Sequence, residues 1–239
     1  MNEIMVYVHT HIPKYLYPCD WNEALSTVDV PGARKIPNGM PGVRLDEFDS
    51  FFEAAKSESK YTGVVHYRRR PLFLNQQFCE HSRVHVDPSD ENMSLLCSGK
   101  QRDAALKILE SHDVIQYRPF YLPMPYRQQF KHFTPVEAWD IMMDVISQMD
   151  EGKSLGFYEV SNAHVWCTLM IAKTQFVAQY VDFIKKVIND LHARKDYLDI
   201  ISKNPRVTAL LMERLTPFWV FHNRLKSAYV PMVTLEQGA

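Results

Sequence analysis

One stretch of this 239-residue chain decides its fold: Tyr61-Thr-Gly-Val-Val-His-Tyr-Arg-Arg-Arg-Pro-Leu-Phe73. Its apolar first half indicates a buried strand, and the strand ends abruptly in a histidine, a tyrosine and three arginines. Ligands in open α/β sheets bind just outside the carboxyl ends of strands. Guanidinium groups suit phosphate there, because their planar fork of donors bonds two oxygens at once. A solvated basic turn explains the pattern equally well, so this stretch alone leaves both interpretations open.

Composition limits the class of protein. Hydrophobic residues make up 46% of the chain and charged residues 23%, which is the balance of a soluble globular protein. A net charge of -1 gives no overall attraction to nucleic acid or anionic membranes, so any basic site must be local. The sequence contains no apolar run long enough for a membrane span and no signal peptide at its start. We therefore predict a cytoplasmic protein with no nucleic-acid partner and at most peripheral membrane association.

The cysteines support the same location. They are widely scattered and include no CxxC pair, which argues against a zinc site and for reduced thiols in the cytosol. Their positions are Cys19, Cys79, Cys97 and Cys167.

Strands and helices alternate along the rest of the chain. Apolar runs predict strands at residues 4–8, 113–117, 165–172 and 229–235. Helical spacing predicts helices within 45–55, 102–111, 134–149, 176–191 and 204–218, with Thr134 and Asn204 as caps and Pro217 kinking or ending the last one. The segments 15–41 and 73–99 lack periodicity and are predicted as loops. With no glycine-rich dinucleotide fingerprint, this order favours an α/β nucleotide-sugar-binding fold over a Rossmann dehydrogenase.

Polar residues in two further segments are candidates for a functional site. His9 and His11 follow the first strand, and a metal pair is one interpretation, although no third ligand is evident. Arg214 shares a helix face with apolar residues, where a charge should be paired or functional. Glu213 lies about 100° round the same helix and could line the same cleft. The alternative for Arg214 is a buried structural ion pair, for instance with Asp46, Glu47 or Asp49.

Four sequence blocks in this order resemble a known family. They are Val6-Tyr-Val-His-Thr-His-Ile-Pro-Lys14, a helix with Glu47 near its start, Gly63-Val-Val-His-Tyr-Arg-Arg69, and Arg206-Val-Thr-Ala-Leu-Leu-Met-Glu-Arg-Leu215 followed by Trp219. The chain is similar to the bacterial glycosyltransferase-like family of capsule, exopolysaccharide and O-antigen gene clusters, first defined as a domain of unknown function. One departure is Cys167-Thr-Leu-Met-Ile171, where the family usually has an Asn-Met-Phe-Ile-type run.

The resemblance implies a fold and an activity. The fold is GT-A-like (Rossmann-like), with a mixed central sheet flanked by helices. The single domain 1–239 would divide into a nucleotide-binding half, 1–130, and an acceptor or helical half, 131–239. The activity would be transfer of a galactose-type sugar from a nucleotide-diphosphate donor, most simply a UDP-sugar, to a growing glycan or lipid-linked acceptor. The alternative is a non-catalytic, degenerate protein that binds sugar nucleotides or glycans within a polysaccharide-synthesis complex.

Roles within the implied site follow from the chemistry of transfer. The departing diphosphate needs positive charge, and without an Asp-x-Asp motif Arg68 and Arg69 are the candidates, with Arg214 in support. No cofactor is certain, and Mn²⁺ or Mg²⁺ stays open. The acceptor hydroxyl needs a base, for which Glu213 and Glu47 are the candidates.

The remaining predicted donor-site residues would bind by hydrogen bonds to phosphate or sugar hydroxyls. They are His9, His11, His66 and Tyr67.

Overall fold

The structure is a computed structural model, and it describes residues 3–12, 16–17, 19–74, 83–165 and 169–236. The strands are β1 Ile4–His9, β2 Asn22–Ser26, β3 Arg34–Lys35, β4 Tyr61–His66, β5 Arg69–Pro71, β6 Arg83–Val86, β7 Val114–Tyr117, β8 Phe120–Tyr121, β9 Ala163–His164, β10 Met170–Lys173, β11 Ser227–Val230 and β12 Met232–Leu235.

Helices connect these strands. They are α1 Asp49–Ala54, α2 Asp90–Leu96, α3 Gly99–Leu109, α4 Tyr126–Phe130, α5 Val136–Ser147, α6 Gly156–Val160, α7 Thr174–His192, α8 Lys195–Lys203 and α9 Val207–His222. Short 3-10 turns at Asp46–Phe48 and Asp150–Ser154 precede α1 and α6.

A seven-stranded mixed sheet in the order β11-β7-β10-β4-β1-β2-β3 forms the centre of the molecule. The strands from β4 to β3 run parallel to one another, while β10 is antiparallel to both of its neighbours, β4 and β7. A small sheet, β5-β12-β6, and a two-stranded ribbon, β8-β9, complete the arrangement. The sheet takes strands from both predicted halves of the chain, and it confirms the predicted mixed sheet flanked by helices.

Alternation along the strands divides the core between the two faces of the sheet. Along β4, Val64 packs with the helices α1, α5, α7 and α9, whereas Tyr61 and Val65 pack with α2 and α3. This follows from the two-residue period of a strand, which sends successive side chains to opposite faces. A strand that is apolar on both faces is therefore buried on both, as the continuous apolar run at 61–65 predicted.

Gly63 lies where β4 and β10 touch most closely. A Cβ atom at this position would lie 2.1 Å from the carbonyl oxygen of Met170, which is well inside van der Waals contact. The glycine therefore allows β10 to lie directly against the middle of β4, and no larger residue fits without moving the backbone.

Two of the predicted loops contain regular structure. The segment 15–41 includes β2 and β3, and the segment 73–99 includes β6 and α2. The strand β2 was missed because its sequence, Asn22-Glu-Ala-Leu-Ser26, has little apolar character, and only its last two residues are buried. Its place comes from backbone pairing with β1, a long-range interaction that local periodicity does not encode.

Helix boundaries also differ from the prediction. Thr134 does not cap α5, since its hydroxyl donates to the Phe130 carbonyl oxygen (3.3 Å) and the helix begins at Val136. Asn204 accepts a hydrogen bond from the Arg206 amide (3.3 Å) and stands before the first turn of α9. Pro217 does not end α9, which continues to His222.

The predicted closing strand is divided between two sheets. Its first part, β11, pairs with β7, and its second part, β12, pairs with β5 and β6. Among the described residues, no helix has both the length and the apolar character needed to cross a membrane. The cytoplasmic location stays a prediction.

Candidate functional site

The carboxyl ends of β1 and β4 meet at one edge of the sheet. The two strands are parallel and in register, so that His9 stands directly beside His66. Both side chains are buried, and His9 Nδ1 lies 2.9 Å from the Ser50 hydroxyl at the start of α1. The turn after β4 is fixed by two bonds: the Arg68 amide donates to His66 Nδ1 (3.2 Å), and the Tyr67 amide donates to the His9 carbonyl oxygen (3.0 Å).

A cavity of about 710 Å³ opens at this edge, and it brings together part of the predicted site. The predicted residues that line it are His9, His11, Glu47, His66 and Arg68. Loops, the 3-10 turn before α1 and the starts of α1 and α9 contribute further polar residues that the sequence did not single out as site residues, namely Asn38, Arg44, Asp46, Asp49 and Arg206. Tyr67, Arg69, Glu213 and Arg214 are not part of the wall.

The histidines at this edge are uncharged at neutral pH. Burial is the main cause that lowers the pKa of His9 to about 4 and that of His66 to about 2, and the neighbouring arginines lower the His66 pKa further. The pKa of His11 is lowered as well, first by burial and then by Arg68. Because the Arg68 amide donates to Nδ1 of His66, the ring proton of His66 belongs on Nε2.

Tyr67 packs against two residues of the cavity wall, His11 and Arg68. Its hydroxyl lies 3.1 Å from His11 Nε2, and its ring lies 5.4 Å from the Arg68 guanidinium carbon, a cation–π contact. Tyr67 is almost fully buried. It therefore positions Arg68 and His11 and does not itself face the cavity.

The three consecutive arginines have three different environments. Arg68 is exposed and lines the cavity, Arg69 is partly buried, and Arg70 is buried in β5. The alternation of the extended chain after the turn separates them. The basic turn is thus neither wholly solvated nor wholly a binding site.

Glu47 is a carboxylate at the cavity whose pKa is raised toward neutral pH. Burial and, next in size, the negative charge of Glu213 raise its pKa to about 7, while the positive charge of Arg69 acts in the opposite direction. Glu47 keeps some exposure at the cavity wall. Near neutral pH it therefore exists in both protonation states, as a proton acceptor or donor requires.

Asp46 holds two cavity arginines together. Its backbone has a left-handed φ of 52°, which is uncommon for a residue other than glycine. Its carboxylate accepts from Arg44 Nε (2.8 Å) and from Arg206 Nε (3.3 Å). The sequence did not indicate this ion pair, because Arg206 is 160 positions away from Asp46.

Arg214 and Glu213 form a pair beside the cavity and not in its wall. The Arg214 guanidinium donates to the Glu213 carboxylate (2.5 Å), to the Leu210 carbonyl oxygen (2.9 Å) and to Gln129 Oε1 (3.1 Å). Arg214 is 4% exposed. The proposed ion pair exists, but its partner is Glu213 and not one of the suggested residues in the segment 46–49.

The arrangement of the potential ligands decides whether the cavity can bind a metal ion. Within the described ranges, no three His, Cys, Asp or Glu side chains are grouped so that they could hold an ion. Asp46 is engaged by two arginines, and Asp49 accepts from the Gly39 amide (2.7 Å). The described residues therefore form no complete protein site for Mn²⁺ or Mg²⁺, and such an ion would need phosphate oxygens of a bound donor as further ligands. Cys167 and the residues 13–14 of the first sequence block lie outside the described residues.

Comparisons with known proteins agree with this architecture. The family described as "Domain of unknown function (DUF4422)" matches residues 48–224. No curated protein matches the chain. Among solved structures, the WbbM bifunctional glycosyltransferase apo structure is similar, with a TM-score of 0.80 and 13% identity over 99% of this chain and 46% of that chain. This chain thus spans about half the length of that protein. At this identity the likeness shows the fold alone, and it confirms the GT-A-like prediction.

Proposed function

This chain belongs to the DUF4422 family, and we propose that it is a glycosyltransferase that uses a nucleotide-diphosphate sugar. The donor we propose is a UDP-sugar of galactose type, and the acceptor is a hydroxyl of a glycan or lipid-linked glycan in polysaccharide assembly. One observation carries the proposal. At the carboxyl ends of β1 and β4, a single cavity combines cations, neutral histidines and a carboxyl group that titrates near pH 7.

Arg68 is the proposed contact of the departing diphosphate. It is exposed at the cavity, and both its backbone amide and its guanidinium are held, by His66 and by Tyr67 respectively. Fixed cations stabilise the negative charge that develops on a leaving diphosphate. Arg44 and Arg206 stand on the same wall and extend the positive surface. In this proposal, Arg69 and Arg214 do not contact the donor. They add positive charge near the cavity and pack against the residues that line it.

Glu47 is the proposed base. The acceptor hydroxyl oxygen attacks the anomeric carbon, the bond from that carbon to the phosphate oxygen breaks, and the nucleoside diphosphate leaves with the electron pair. The hydroxyl proton passes to the Glu47 carboxylate. A base is most effective when its pKa lies near the working pH, and burial raises the pKa of Glu47 to about 7. Glu213 is bound to Arg214, so we assign it the supporting role of raising the Glu47 pKa.

The histidines are proposed to position the donor. Because burial keeps His9 and His66 neutral, each offers one N–H donor and one acceptor and no competing charge. Nδ1 of His66 already accepts from the Arg68 amide, which leaves its Nε2 proton for a phosphate or sugar oxygen. His11 stands beside them at the cavity and has the same capacity.

The test is a panel of UDP-, GDP- and CMP-sugars, each with Mn²⁺ or with EDTA, read by thermal shift and by nucleotide release. We expect stabilisation by UDP-sugars and release of UDP in the presence of an acceptor. Glu47→Gln should retain UDP-sugar binding and lose about 10²–10⁴-fold in release rate, the usual contribution of a general base.

The control is Glu58→Gln, the same change at an exposed position away from the cavity, which should leave both measurements unchanged. Binding without release by the unmodified chain would support the non-catalytic alternative. If no nucleotide stabilised the protein, both the transferase function and non-catalytic binding of sugar nucleotides would be excluded.

A further inference from the structure

Two cysteines lie close to each other on the face of the sheet opposite α7 and α9. Asn22 links them, because it pairs with Cys19 in an isolated β-bridge and its side-chain amide lies 3.8 Å from the Cys97 sulfur. Cys97 is 6% exposed, whereas Cys19 is partly exposed and lines a second cavity of about 540 Å³. Neither cysteine lines the proposed donor cavity.

Independent contacts hold the two thiols together. Cys97 ends α2 at the junction with α3, and its carbonyl oxygen accepts from the Trp21 indole nitrogen (3.0 Å). The Asn22 amide group donates to the Cys97 sulfur (3.8 Å). The Asn22 backbone amide donates to the Cys19 carbonyl oxygen (3.4 Å), which fixes the loop that carries Cys19. The contact therefore depends on tertiary structure and not on two mobile side chains.

The surroundings give the two sulfurs different chemistry. The hydrogen bond from Cys19 is the main cause that lowers the pKa of Cys97 to about 6, and the positive charge of Arg70 and the Asn22 amide lower it further against the effect of burial. The same hydrogen bond raises the pKa of Cys19. At neutral pH the pair therefore shares one proton, and the negative charge lies on Cys97 beside Arg70. A thiolate next to a second thiol is the arrangement of a peroxide-sensitive cysteine with its resolving partner.

We propose that Cys19 and Cys97 form a reversible intramolecular disulfide in response to peroxide. The Cys97 thiolate attacks one oxygen of hydrogen peroxide, the O–O bond breaks, and Cys97 sulfenic acid and hydroxide are formed. The Cys19 sulfur then attacks the sulfenic sulfur, and its proton leaves with the sulfenic oxygen as water. Two sulfurs are oxidised and one peroxide is reduced. Cys19, Asn22 and Arg70 all line the cavity of about 540 Å³, so peroxide that enters this cavity comes next to the pair.

The test uses the full-length chain with Cys79→Ser and Cys167→Ser, so that Cys19 and Cys97 are the remaining thiols. After exposure to hydrogen peroxide, free thiols are alkylated and the non-reduced digest is analysed by mass spectrometry. We expect a peptide linked through Cys19 and Cys97, loss of the two thiols in equal amounts, and recovery of both with dithiothreitol. The oxidation rate should rise with pH through about pH 6, the pKa of Cys97.

Cys19→Ser is the matched control. Its Cys97 should still react with peroxide, but should accumulate sulfenic and then sulfinic acid without any link. The proposal would be overturned if Cys97 of the two-thiol protein became sulfinic acid while Cys19 stayed a free thiol. It would equally be overturned if both thiols survived peroxide concentrations that oxidise them in the urea-unfolded chain. A linked peptide between two molecules, with none within one molecule, would also contradict it.

Discussion

Arg206 and Arg214 belong to the same stretch of chain, eight positions apart at the start and in the middle of α9, but they have opposite environments. The Arg206 side chain is 59% exposed, stands on the cavity wall and is held by one carboxylate of Asp46. The Arg214 side chain is 5% exposed and donates to Glu213, a backbone carbonyl oxygen and Gln129. A guanidinium whose two terminal nitrogens both donate to buried groups of the protein stabilises the fold, whereas one that faces a cavity can change partners when a ligand arrives.

The largest expected effect in this comparison belongs to Arg214. Arg214→Met should lower the free energy of unfolding by about 3–5 kcal/mol, because it removes one partner of a buried ion pair and leaves Gln129 Oε1 without its donor. Urea denaturation measures the loss. Arg206→Met is the matched control on the same helix. Equal losses in the two variants would show that the environments do not differ as described.

Next in size is the effect of removing the cavity cation that follows β4. Arg68→Met should weaken UDP binding about 10–100-fold, since hydrogen bonds to charged groups contribute about 1.5–3 kcal/mol. Its stability should change by less than about 0.5 kcal/mol, because the side chain is exposed. Calorimetric titration with UDP gives the affinity. Unchanged affinity would refute the phosphate role of Arg68.

The pH dependence of stability gives a smaller effect at Glu47. The folded-state pKa of about 7 is above the ordinary value of 4.5, so Glu47 favours folding while protonated and loses that contribution as pH rises from 4.5 through 7. Glu47→Gln should therefore match the parent near pH 4.5. The full change in pKa corresponds to about 3 kcal/mol, and since solvent screens the partly exposed Glu47, we expect the variant to be more stable by about 2 kcal/mol at pH 8. Unfolding free energies at several pH values measure this. A variant that was less stable at pH 8 would contradict the raised pKa.

The histidines act in the opposite direction and do not obscure this difference. Burial lowers the pKa of His9 and His66, so their unfolded forms take up protons first and stability falls as pH decreases below 6.5. The parent and the Glu47→Gln variant share this contribution, so it cancels when one is subtracted from the other.

The smallest expected effect is that of Arg206 itself. Arg206→Met should change the free energy of unfolding by less than about 1 kcal/mol, because its ion pair with Asp46 is exposed and screened. UDP affinity should fall by a factor smaller than that for Arg68→Met. The same titration measures both variants. A larger loss for Arg206→Met would make Arg206 the main phosphate contact.

Local sequence pattern was sufficient for much of the fold. The apolar run at 61–65 predicted β4 to within one residue, and the helical spacing within 176–191 predicted α7. In both cases the period of the apolar residues matches the element, because the element is buried along most of its length. The strand β2 was missed for the opposite reason, since it is held by backbone pairing and has few buried side chains.

The site was predictable where it follows a strand. His9, His66 and Arg68 come directly after apolar runs, and the rule that ligands bind at the carboxyl ends of strands placed them at one edge. Arg44 and Asp46 were not predicted as cavity residues, because loop conformation and a left-handed backbone bring them there. The pairing of Arg214 with its immediate neighbour Glu213 was also missed, since sequence spacing does not specify how a side chain folds back.

The place of β10 has a consequence for how the chain folds during synthesis. This strand lies between β4 and β7, although it follows β7 by more than fifty positions in the sequence. The ribosome therefore releases β4 and β7 before the strand that joins them exists, and the edge of each that pairs with β10 stays unpaired until residues 170–173 emerge. Non-local pairing of this kind slows folding and exposes strand edges to other chains. The glycine that lets β10 lie against β4 thus stands at the contact that joins β4 to the β7 side of the sheet, to which β11 is then added.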